Sequence, residues 1–409
     1  MKISLDDARK LALHAQRFGK TGSTGNEKEN AAQLVEHLGY VQIDTIHIVE
    51  RAHHHTLWAR LPEYTPALLD ELLSKDRRVF EWWTHAMSYI PMRDYRFYAP
   101  RMGRHALWGR QTEWLEAHPD VVAHVKDRIR AEGPLGAADF KKPEGFNGGW
   151  WEWKPAKQAL EILSSMGELM VTKRRNFQRI FDLSERVLPP GLNMTPPDDA
   201  ELQRFIIRFA LNGRGILRES EVAWSRRKAD PAALRALVDA GEVVALEVEG
   251  LKQGSSSLNG EPCYALSAAL DAALATPPTQ SLHILSPFDN LIIDRRWLKA
   301  FFDGFDYTLE CYLPAAKRKY GYFVLPILWT DANGHPRFIA RMDVKADRKA
   351  KTLIVRRLFF EPEVNGHANA IPALADSLRD YAAFNHCNHV ILEETMPETI
   401  KETLAQMMK

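Results

Sequence analysis

Cysteine is scarce in this 409-residue chain: Cys263, Cys311 and Cys387 are odd in number and far apart. They predict neither a disulfide framework nor a zinc site, and they fit a reducing compartment. No apolar run approaches the roughly 20 residues that span a bilayer, and the first residues lack the apolar core of a signal peptide. We therefore expect a cytoplasmic protein without a membrane partner.

An excess of one charge is also missing, since 54 Lys and Arg balance 53 Asp and Glu for a net charge of +1. Global electrostatics therefore gives no argument for a polyanionic partner. The cations are nevertheless clustered, and a neutral protein can still present one basic face. Solvated surface charge is the alternative interpretation for any single cluster. The clusters are Lys173-Arg174-Arg175, Arg226-Arg227-Lys228, Arg295-Arg296, Lys317-Arg318-Lys319 and Arg356-Arg357.

Metal-binding spacing is not found either. His53, His54 and His55 are adjacent, and three adjacent side chains of a regular element cannot all face one ion, so we interpret them as a loop or surface tract. No Asp/Glu/His cluster has ligand spacing, which argues against a metal-dependent nuclease. We expect no metal and no cofactor.

The length predicts several domains, and the pattern of elements recurs. Helices are predicted at 4–18, 26–37 and 66–73, around an extended run at 38–49. A second group has helices at 121–132 and 153–166, with a short helix between them, followed by two alternating runs at 167–183. A third has helices at 198–211, 217–224 and 231–240, followed by strands at 241–248 and 262–266. Three helices followed by a β-hairpin is the winged-helix order.

Two similar five-residue segments support this repetition. Gly-Glu-Leu-Met-Val at 167–171 and Gly-Glu-Val-Val-Ala at 241–245 each start the strand pair of their group, so they predict equivalent positions. After Pro277-Pro278 the chain is rich in strands, including 284–289, 307–312, 321–328, 338–343 and 352–358, with a closing strand at 390–394. The predicted fold class is α+β: winged-helix units at 1–118, 119–195 and 196–278, then an antiparallel β-barrel or sheet domain at 279–409.

The most informative run is Leu38–Val49, apolar and β-branched but interrupted by Gln42 and Asp44. In an extended backbone these two side chains project to one side, with Val41 and Ile43 on the other. Near a substrate, a carboxylate and a carboxamide can hold a water, the first accepting its proton and the second orienting it. The plain alternative is a turn Asp that caps a following helix, with Gln42 incidental.

Several stretches, taken together, resemble the YcaQ/AlkZ family of bacterial DNA glycosylases, in particular its YcaQ branch, over nearly the whole chain. They are Val41–Ile46, Glu81-Trp-Trp-Thr-His85, Gly149-Trp-Trp-Glu-Trp-Lys-Pro155, Lys173–Arg179, Leu285–Asp289 and Lys317–Pro326. The family's catalytic signature is Gln, an aliphatic residue, then Gln or Asp, and this chain carries the Asp version at Gln42 and Asp44.

The resemblance implies three tandem winged-helix units and a C-terminal β-barrel domain in a C-shaped, DNA-binding arrangement. It also implies hydrolysis of the N-glycosidic bond of N7-alkylated purines in double-stranded DNA, including unhooking of interstrand crosslinks, by a monomer. Asp44 would activate water and stabilise the sugar cation, with Gln42 as its partner. A non-catalytic winged-helix DNA-binding protein, such as a transcription regulator, is the alternative function.

Candidate DNA contacts follow from the same stretches. His85 is either a contact to the DNA backbone near the lesion or a core histidine. The remaining candidates are cations and one amide at the predicted hairpin tip and in the C-terminal domain, suited to phosphate contacts. They are Lys173, Arg174, Arg175, Asn176, Arg179, Lys317, Arg318 and Lys319.

Overall fold

A computed structural model describes residues 1–18, 25–103, 106–141, 154–251, 261–362 and 367–408. Residues 19–24 lie outside this part of the chain, as do Trp150, Trp151 and Trp153 of the family-like stretch Gly149–Pro155. The fold is a mixed α+β one, as predicted. None of the described helices combines the length and apolar character needed to cross a membrane.

The helices are α1 (Leu5–Ala15), α2 (Glu27–Leu38), α3 (Ala52–Trp58), α4 (Pro66–Ser74), α5 (Tyr95–Tyr98), α6 (Gly109–Ala117), α7 (Pro119–Glu132), α8 (Pro155–Ser165), α9 (Ser184–Val187), α10 (Asp199–Arg214), α11 (Pro231–Asp239), α12 (Ser267–Ala275), α13 (Arg295–Phe301), α14 (His367–Phe384) and α15 (Thr399–Met407). Short 3₁₀ helices cover Met92–Asp94, Ala99–Arg101, Ala137–Asp139, Glu219–Glu221, Glu310–Tyr312 and Ala315–Lys317.

The strands are β1 (Lys2–Ser4), β2 (Val41–Gln42), β3 (Val79–Trp83), β4 (Met87–Pro91), β5 (Leu135–Gly136), β6 (Leu169–Arg175), β7 (Gln178–Leu183), β8 (Ile216–Arg218), β9 (Ala223–Trp224), β10 (Arg227–Lys228), β11 (Val243–Glu249), β12 (Cys263–Leu266), β13 (Ser281–Ile284), β14 (Val324–Thr330), β15 (Pro336–Asp347), β16 (Thr352–Phe360) and β17 (His389–Met396).

The chain divides into two compact units. Unit 1 comprises Met1–Gly25, His37–Tyr64 and Gln203–Lys409, and unit 2 comprises Asn26–Glu36 and Thr65–Leu202. This division groups residues by contact, and the four sequence-based domains remain a prediction.

In unit 2, β5, β7 and β6 form an antiparallel sheet in that order, with α7 before β5 and α8 before β6 in the chain. In unit 1, β8, β12 and β11 pair in the same order, with α10 and α11 as the helices, and β1 adds a parallel strand beside β11. Both segments share the order helix, strand, 3₁₀ turn, helix, strand, strand; the segment in unit 1 adds the short strand pair β9–β10 before α11, and residues 142–153 before α8 lie outside the described part of the chain. The middle helix predicted at 217–224 is wrong: β8 and the 3₁₀ turn Glu219–Glu221 begin that stretch, and β9 ends it.

The predicted equivalence of 167–171 and 241–245 is confirmed. Gly167 and Gly241 both have φ of 74°, a left-handed value that favours glycine at a helix end. After them, the backbone carbonyls of Glu168 and Glu242 accept from the N–H groups of Ser184 and Ser267, at 3.1 and 3.0 Å. The same helix ending therefore leads into the same kind of strand pair.

The C-terminal part of unit 1 contains a five-stranded sheet in the order β13-β14-β15-β16-β17. Its first three pairings are antiparallel, but β17 lies parallel to β16. Of the two predicted forms, a barrel is wrong, since no sheet of the described residues closes; the sheet is open and not wholly antiparallel. Helices α14 and α15 cover it around an apolar core that includes Leu325, Leu374 and Leu404.

Candidate functional site

The run around Gln42 and Asp44 is mostly irregular. Strand β2 ends at Gln42, so the extended structure predicted for 38–49 is limited to two residues. Tyr40 is fixed through its carbonyl, which accepts from the side chain of Asn290 at 3.0 Å. The carbonyl of Ile48 accepts from the N–H of Ala346 at 2.9 Å. Two anchors in the C-terminal half of unit 1 therefore hold this loop on either side of Asp44.

The two candidate catalytic side chains differ in exposure. Gln42 is 8% exposed, whereas Asp44 is half-buried. Val41 and Ile43 are also buried, so the predicted alternation of faces is not seen in the burial of this run. The reason is that β2 stops at Gln42, and a period of two holds only in a strand.

Asp44 forms a local turn. Its Oδ1 accepts a hydrogen bond from the N–H of Ile46 at 2.7 Å, the two-residue bond typical of Asx turns. The alternative interpretation of Asp44 as a turn residue is therefore correct. Its second part, that Asp44 caps the following helix, is wrong, because that helix begins only at Ala52. Burial raises the pKa of Asp44, against the opposing effects of the Ile46 N–H and the Arg51 charge. The carboxylate is thus a partly desolvated anion, and its base strength is greater than that of an exposed aspartate.

A loop in unit 1, here called the Glu310 loop (residues 310–321), carries two residues whose pKa values the charge of Asp44 helps to raise. Its base is closed by Glu310, a buried carboxylate whose Oε2 accepts from the N–H groups of Tyr320 and Gly321, at 2.8 and 3.0 Å. Gly321 has φ of 147°, and a Cβ there would lie 2.3 Å from Cγ of Asp343. Only glycine fits this approach. The strand predicted at 307–312 is wrong, because its last three residues form a 3₁₀ helix of this loop.

The Glu310 loop carries Lys317, Arg318 and Lys319. Lys317 and Lys319 are exposed. The Arg318 guanidinium is folded back: Nε donates to the carbonyl of Leu313 at 2.9 Å, and its Cζ lies 4.9 Å from the ring centre of Tyr322. Of the three predicted phosphate contacts, the two lysines are the exposed ones, and the Lys319 ammonium also lies 4.7 Å from the ring centre of Tyr320.

Sequence reasoning missed two residues of this loop, Cys311 and Tyr312. Burial raises the pKa of the Cys311 thiol, and the negative charge of Asp44 adds to that increase. The pKa of the Tyr312 phenol is also raised, by partial desolvation although 75% of the residue is exposed, and the neighbouring Cys311 and Asp44 contribute. Asp44 therefore acts electrostatically on both. Pro314, which disfavours a continuing strand, was the available signal that Tyr312 ends in a loop.

In unit 2, the predicted basic hairpin is present as β6 and β7. Asn176 and Phe177 join the strands with φ of 50° and 65°, as in a two-residue hairpin turn. Lys173, Arg175 and Asn176 are exposed. Arg175 is engaged with Asp139, at 2.9 Å from Nη2 to Oδ1. The tip therefore presents a cation, an amide and an exposed ion pair.

The other two arginines of this hairpin make structural ion pairs. Arg174 donates from Nε and Nη2 to both oxygens of buried Glu81, and its Cζ lies 4.4 Å from the Phe177 ring centre. Arg179 pairs with Glu161. Both cations already have carboxylate partners, which a phosphate would have to displace.

His85 is exposed at the turn between β3 and β4, with its Nδ1 3.4 Å from Oγ1 of Thr84. The core alternative for His85 is therefore wrong. Trp83, two residues earlier, is 49% exposed. This hairpin thus places an imidazole and an aromatic ring together at the surface of unit 2.

The triple-histidine tract is buried in α3, so its interpretation as a loop or surface segment is wrong. Nε2 of His55 lies 2.9 Å from the carbonyl of Ile284, and burial lowers the pKa of His55 to about 4. Nδ1 of His54 lies 2.8 Å from the Tyr64 hydroxyl. The tract is therefore buried core structure, with His55 held neutral. Across the residues that the structure describes, no group of three His, Cys, Asp or Glu side chains is placed to hold a metal ion.

Comparison with known proteins gives two results. The family described as "DNA glycosylase AlkZ-like" matches residues 35–384. DNA glycosylase AlkZ of Streptomyces sahachiroi is structurally similar, with a TM-score of 0.57 at 15% identity, over 96% of this chain and 100% of that one. At 15% identity the structural similarity supports the fold alone. The family match spans Gln42, Asp44 and all the candidate DNA contacts. The chain belongs to the AlkZ-like family of DNA glycosylases.

Proposed function

We propose that this protein is a monofunctional glycosylase that hydrolyses the N-glycosidic bond of N7-alkylated purines in duplex DNA and unhooks crosslinks formed through such purines. The observation that carries the proposal is Asp44: a half-buried carboxylate with a raised pKa, held by its own turn within the matched region. A partly desolvated carboxylate is suited to stabilise a cation and to accept a proton.

The chemistry requires little more. Alkylation at N7 makes the purine cationic, so N9 can leave with the electron pair of the C1′–N9 bond without being protonated by the enzyme. The sugar becomes an oxocarbenium ion, which Asp44 stabilises by its charge. Water adds to C1′ and gives a proton to Asp44. Gln42, buried two residues earlier, orients the water or the sugar by hydrogen bonds.

The product is an intact abasic site. The run from residue 38 to 49 contains no lysine, so its side chains do not supply the amine that a Schiff base with C1′ requires. Borohydride should therefore trap no covalent enzyme–DNA adduct. Formation of such an adduct during turnover would contradict the monofunctional mechanism.

The DNA-binding architecture is part of the proposal. We assign the two matching segments, α7–β7 and α10–β12, as winged-helix units, because each combines helices with a three-stranded antiparallel sheet in the same order. Residues 1–118 are proposed as a third unit on element order alone. Lys173, Asn176 and His85 in unit 2, and Lys317 and Lys319 in unit 1, are the exposed groups proposed to contact DNA.

One assay separates this function from its rivals. The protein is incubated in EDTA with a duplex containing one N7-methylguanine, and half of the sample is then treated with alkali. Strand breaks at the lesion that need alkali are the expected result. Retention of the duplex without breaks would indicate the alternative, a binding-only protein. Breaks that appear only when a divalent metal replaces EDTA would indicate a nuclease.

A further inference from the structure

A buried asparagine holds the backbone just before Gln42. Asn290 is 4% exposed, and its Nδ2 donates to the carbonyl of Tyr40 at 3.0 Å. Because Tyr40 precedes Gln42 by two positions, this bond fixes the peptide that joins Tyr40 to Val41. The proposed function gives no role to Asn290 or to the family-like stretch Leu285–Asp289 that precedes it.

The turn that carries Asn290 is fixed on both sides. Asp289 is fully buried, and its carboxylate accepts from Nη1 and Nη2 of Arg60 at 2.7 and 2.8 Å. The same carboxylate accepts from the N–H of Leu291 at 2.9 Å, and the N–H of Asp289 donates to the carbonyl of Ser286 at 3.0 Å. The Asn290 amide therefore projects from an immobilised segment, so it can determine the position of the backbone that it binds.

Stability alone does not account for this amide. Within the described part of the chain, Oδ1 of Asn290 is buried and has no hydrogen-bond partner. A buried acceptor left unpaired costs free energy, whereas a leucine of similar size would be buried without that cost. The bond from Nδ2 is thus the contribution of the Asn290 side chain, and it is made to the loop of the proposed catalytic pair.

Gln42 is the candidate catalytic residue that lies nearest to this anchor in the chain. Asp44 is oriented within the loop by its own bond from the N–H of Ile46. Gln42 lies at the end of β2, one residue beyond the peptide that Asn290 holds. A displacement of that peptide therefore moves Gln42, while the Asx turn of Asp44 can stay intact.

We propose that Asn290 is a positioning residue, which holds the Tyr40 carbonyl and thereby sets the location of Gln42 relative to the reacting sugar. It acts through Gln42 and does not contact the substrate itself. The inference rests on the proposed function, because the position of Gln42 affects the rate only if Gln42 orients the water or the sugar. A small displacement of such a group is sufficient to slow a reaction.

Two variants and a control test this role. Asn290→Leu removes the donor and the unpaired oxygen at nearly constant volume, and Asn290→Ala removes both without adding bulk. Thr330→Val is the matched control: Thr330, the last residue of β14 in the same unit, is buried, and its hydroxyl also has no partner among the residues that the structure describes. The control therefore loses an unpaired polar atom but no bond to the loop. Thermal melting establishes that each variant is folded.

The first readout does not depend on activity. Hydrogen–deuterium exchange is followed by mass spectrometry in a peptide that covers residues 38–49. In both Asn290 variants this segment should exchange about 3- to 10-fold faster, the effect of losing one hydrogen bond, and in Thr330→Val it should exchange at the native rate. Native exchange in the folded Asn290 variants would overturn the inference.

The second readout is single-turnover excision of N7-methylguanine in a double-mutant cycle. Asn290→Leu should lower the rate about 3- to 10-fold and leave the Kd for the duplex unchanged, since the lost bond is not to DNA. In the Gln42→Ala background the same substitution should have little further effect, because the group that it positions is gone. Losses that multiply in the double variant, or a native rate for Gln42→Ala, would contradict the positioning role.

Failure of the proposed function gives a different result. If the native protein releases no N7-methylguanine, that function fails whatever the exchange rates are. If the native protein is active and both Asn290 variants excise at its rate, the inference alone fails.

Discussion

The guanidinium of Arg174 and the carboxylate of Glu81 form a two-pronged ion pair, with 2.7 Å from Nε to Oε1 and 2.6 Å from Nη2 to Oε2. The side chains are 10% and 0% exposed. The pair joins β6 to β3 within unit 2. The basic cluster Lys173-Arg174-Arg175 therefore contains two kinds of cation. Arg174 is a structural ion-pair partner, whereas the adjacent Lys173 is exposed.

The first prediction concerns this pair. Replacing Arg174 with Ala leaves Glu81 buried without its cation, so the free energy of unfolding should fall by about 3–5 kcal/mol. Denaturant unfolding of both proteins measures the difference. Lys173→Ala is the matched control and should change stability by less than about 0.5 kcal/mol. Equal stabilities for the two variants would contradict a structural role for Arg174.

The second prediction concerns the salt dependence of DNA binding. Lys173→Ala should reduce the slope of log K against log salt concentration by about 0.9, since one phosphate contact is lost. Titrations of an undamaged duplex at several salt concentrations measure the slope. Lys126→Ala is the control, because Lys126 is engaged with Glu168. An unchanged slope for Lys173→Ala would remove this residue from the DNA contacts.

The third prediction compares the two residues of the proposed catalytic pair. Asp44→Asn keeps an oxygen that can accept from the N–H of Ile46 but loses the charge. The excision rate should therefore fall at least about 30-fold, or about 2 kcal/mol of barrier. Gln42→Ala should cost less, because it removes hydrogen bonds and no charge. Single-turnover excision of N7-methylguanine measures both.

A matched control exists for the turn. Asp331 makes the same two-residue bond, since its Oδ1 accepts from the N–H of Asn333 at 2.9 Å in the hairpin turn before β15. Asp331→Asn should excise at the native rate. Near-native excision by Asp44→Asn would disprove the assignment of Asp44 as the catalytic carboxylate.

The fourth prediction concerns pH. Burial raises the pKa of Asp44 above that of an ordinary aspartate, and only the ionised form can stabilise the sugar cation or accept a proton. Excision should therefore rise with pH through the raised pKa of Asp44 and then level off. The rising part of the pH–rate profile should lie above about pH 3.9, the pKa of an unperturbed aspartate. Single-turnover rates from pH 4 to 8 measure the profile, and a flat profile down to pH 4 would exclude a raised catalytic pKa.

Local sequence patterns predicted the structure correctly where neighbours in the sequence determine it. The hairpin of β6 and β7 was predicted because alternating runs flank a short polar tip. The equivalence of Gly167 and Gly241 followed from a five-residue echo, since the same helix ending requires the same left-handed glycine. In each case the decisive contacts lie within a few residues.

Patterns failed where the environment decides. His53, His54 and His55 were interpreted as a surface tract, but distant groups such as the carbonyl of Ile284 make α3 a buried helix. Tyr312 was placed in a strand, but the fold closes a loop there through Glu310. The sheet order that leaves β17 parallel to β16 also depends on long-range pairing, which no local periodicity encodes.

By itself, the sequence determined the α+β class, the recurring helix and hairpin segments, and the family through the stretches that resemble it, including Gln42 and Asp44. Only the tertiary structure decided which candidate cations are exposed, that Arg174 is committed to Glu81, and that Tyr312 is exposed in a loop and not paired in a strand. The physical reason is that burial and charge pairing depend on residues far apart in the chain. Residue type and spacing describe what a side chain can do, whereas its neighbours in space determine what it does.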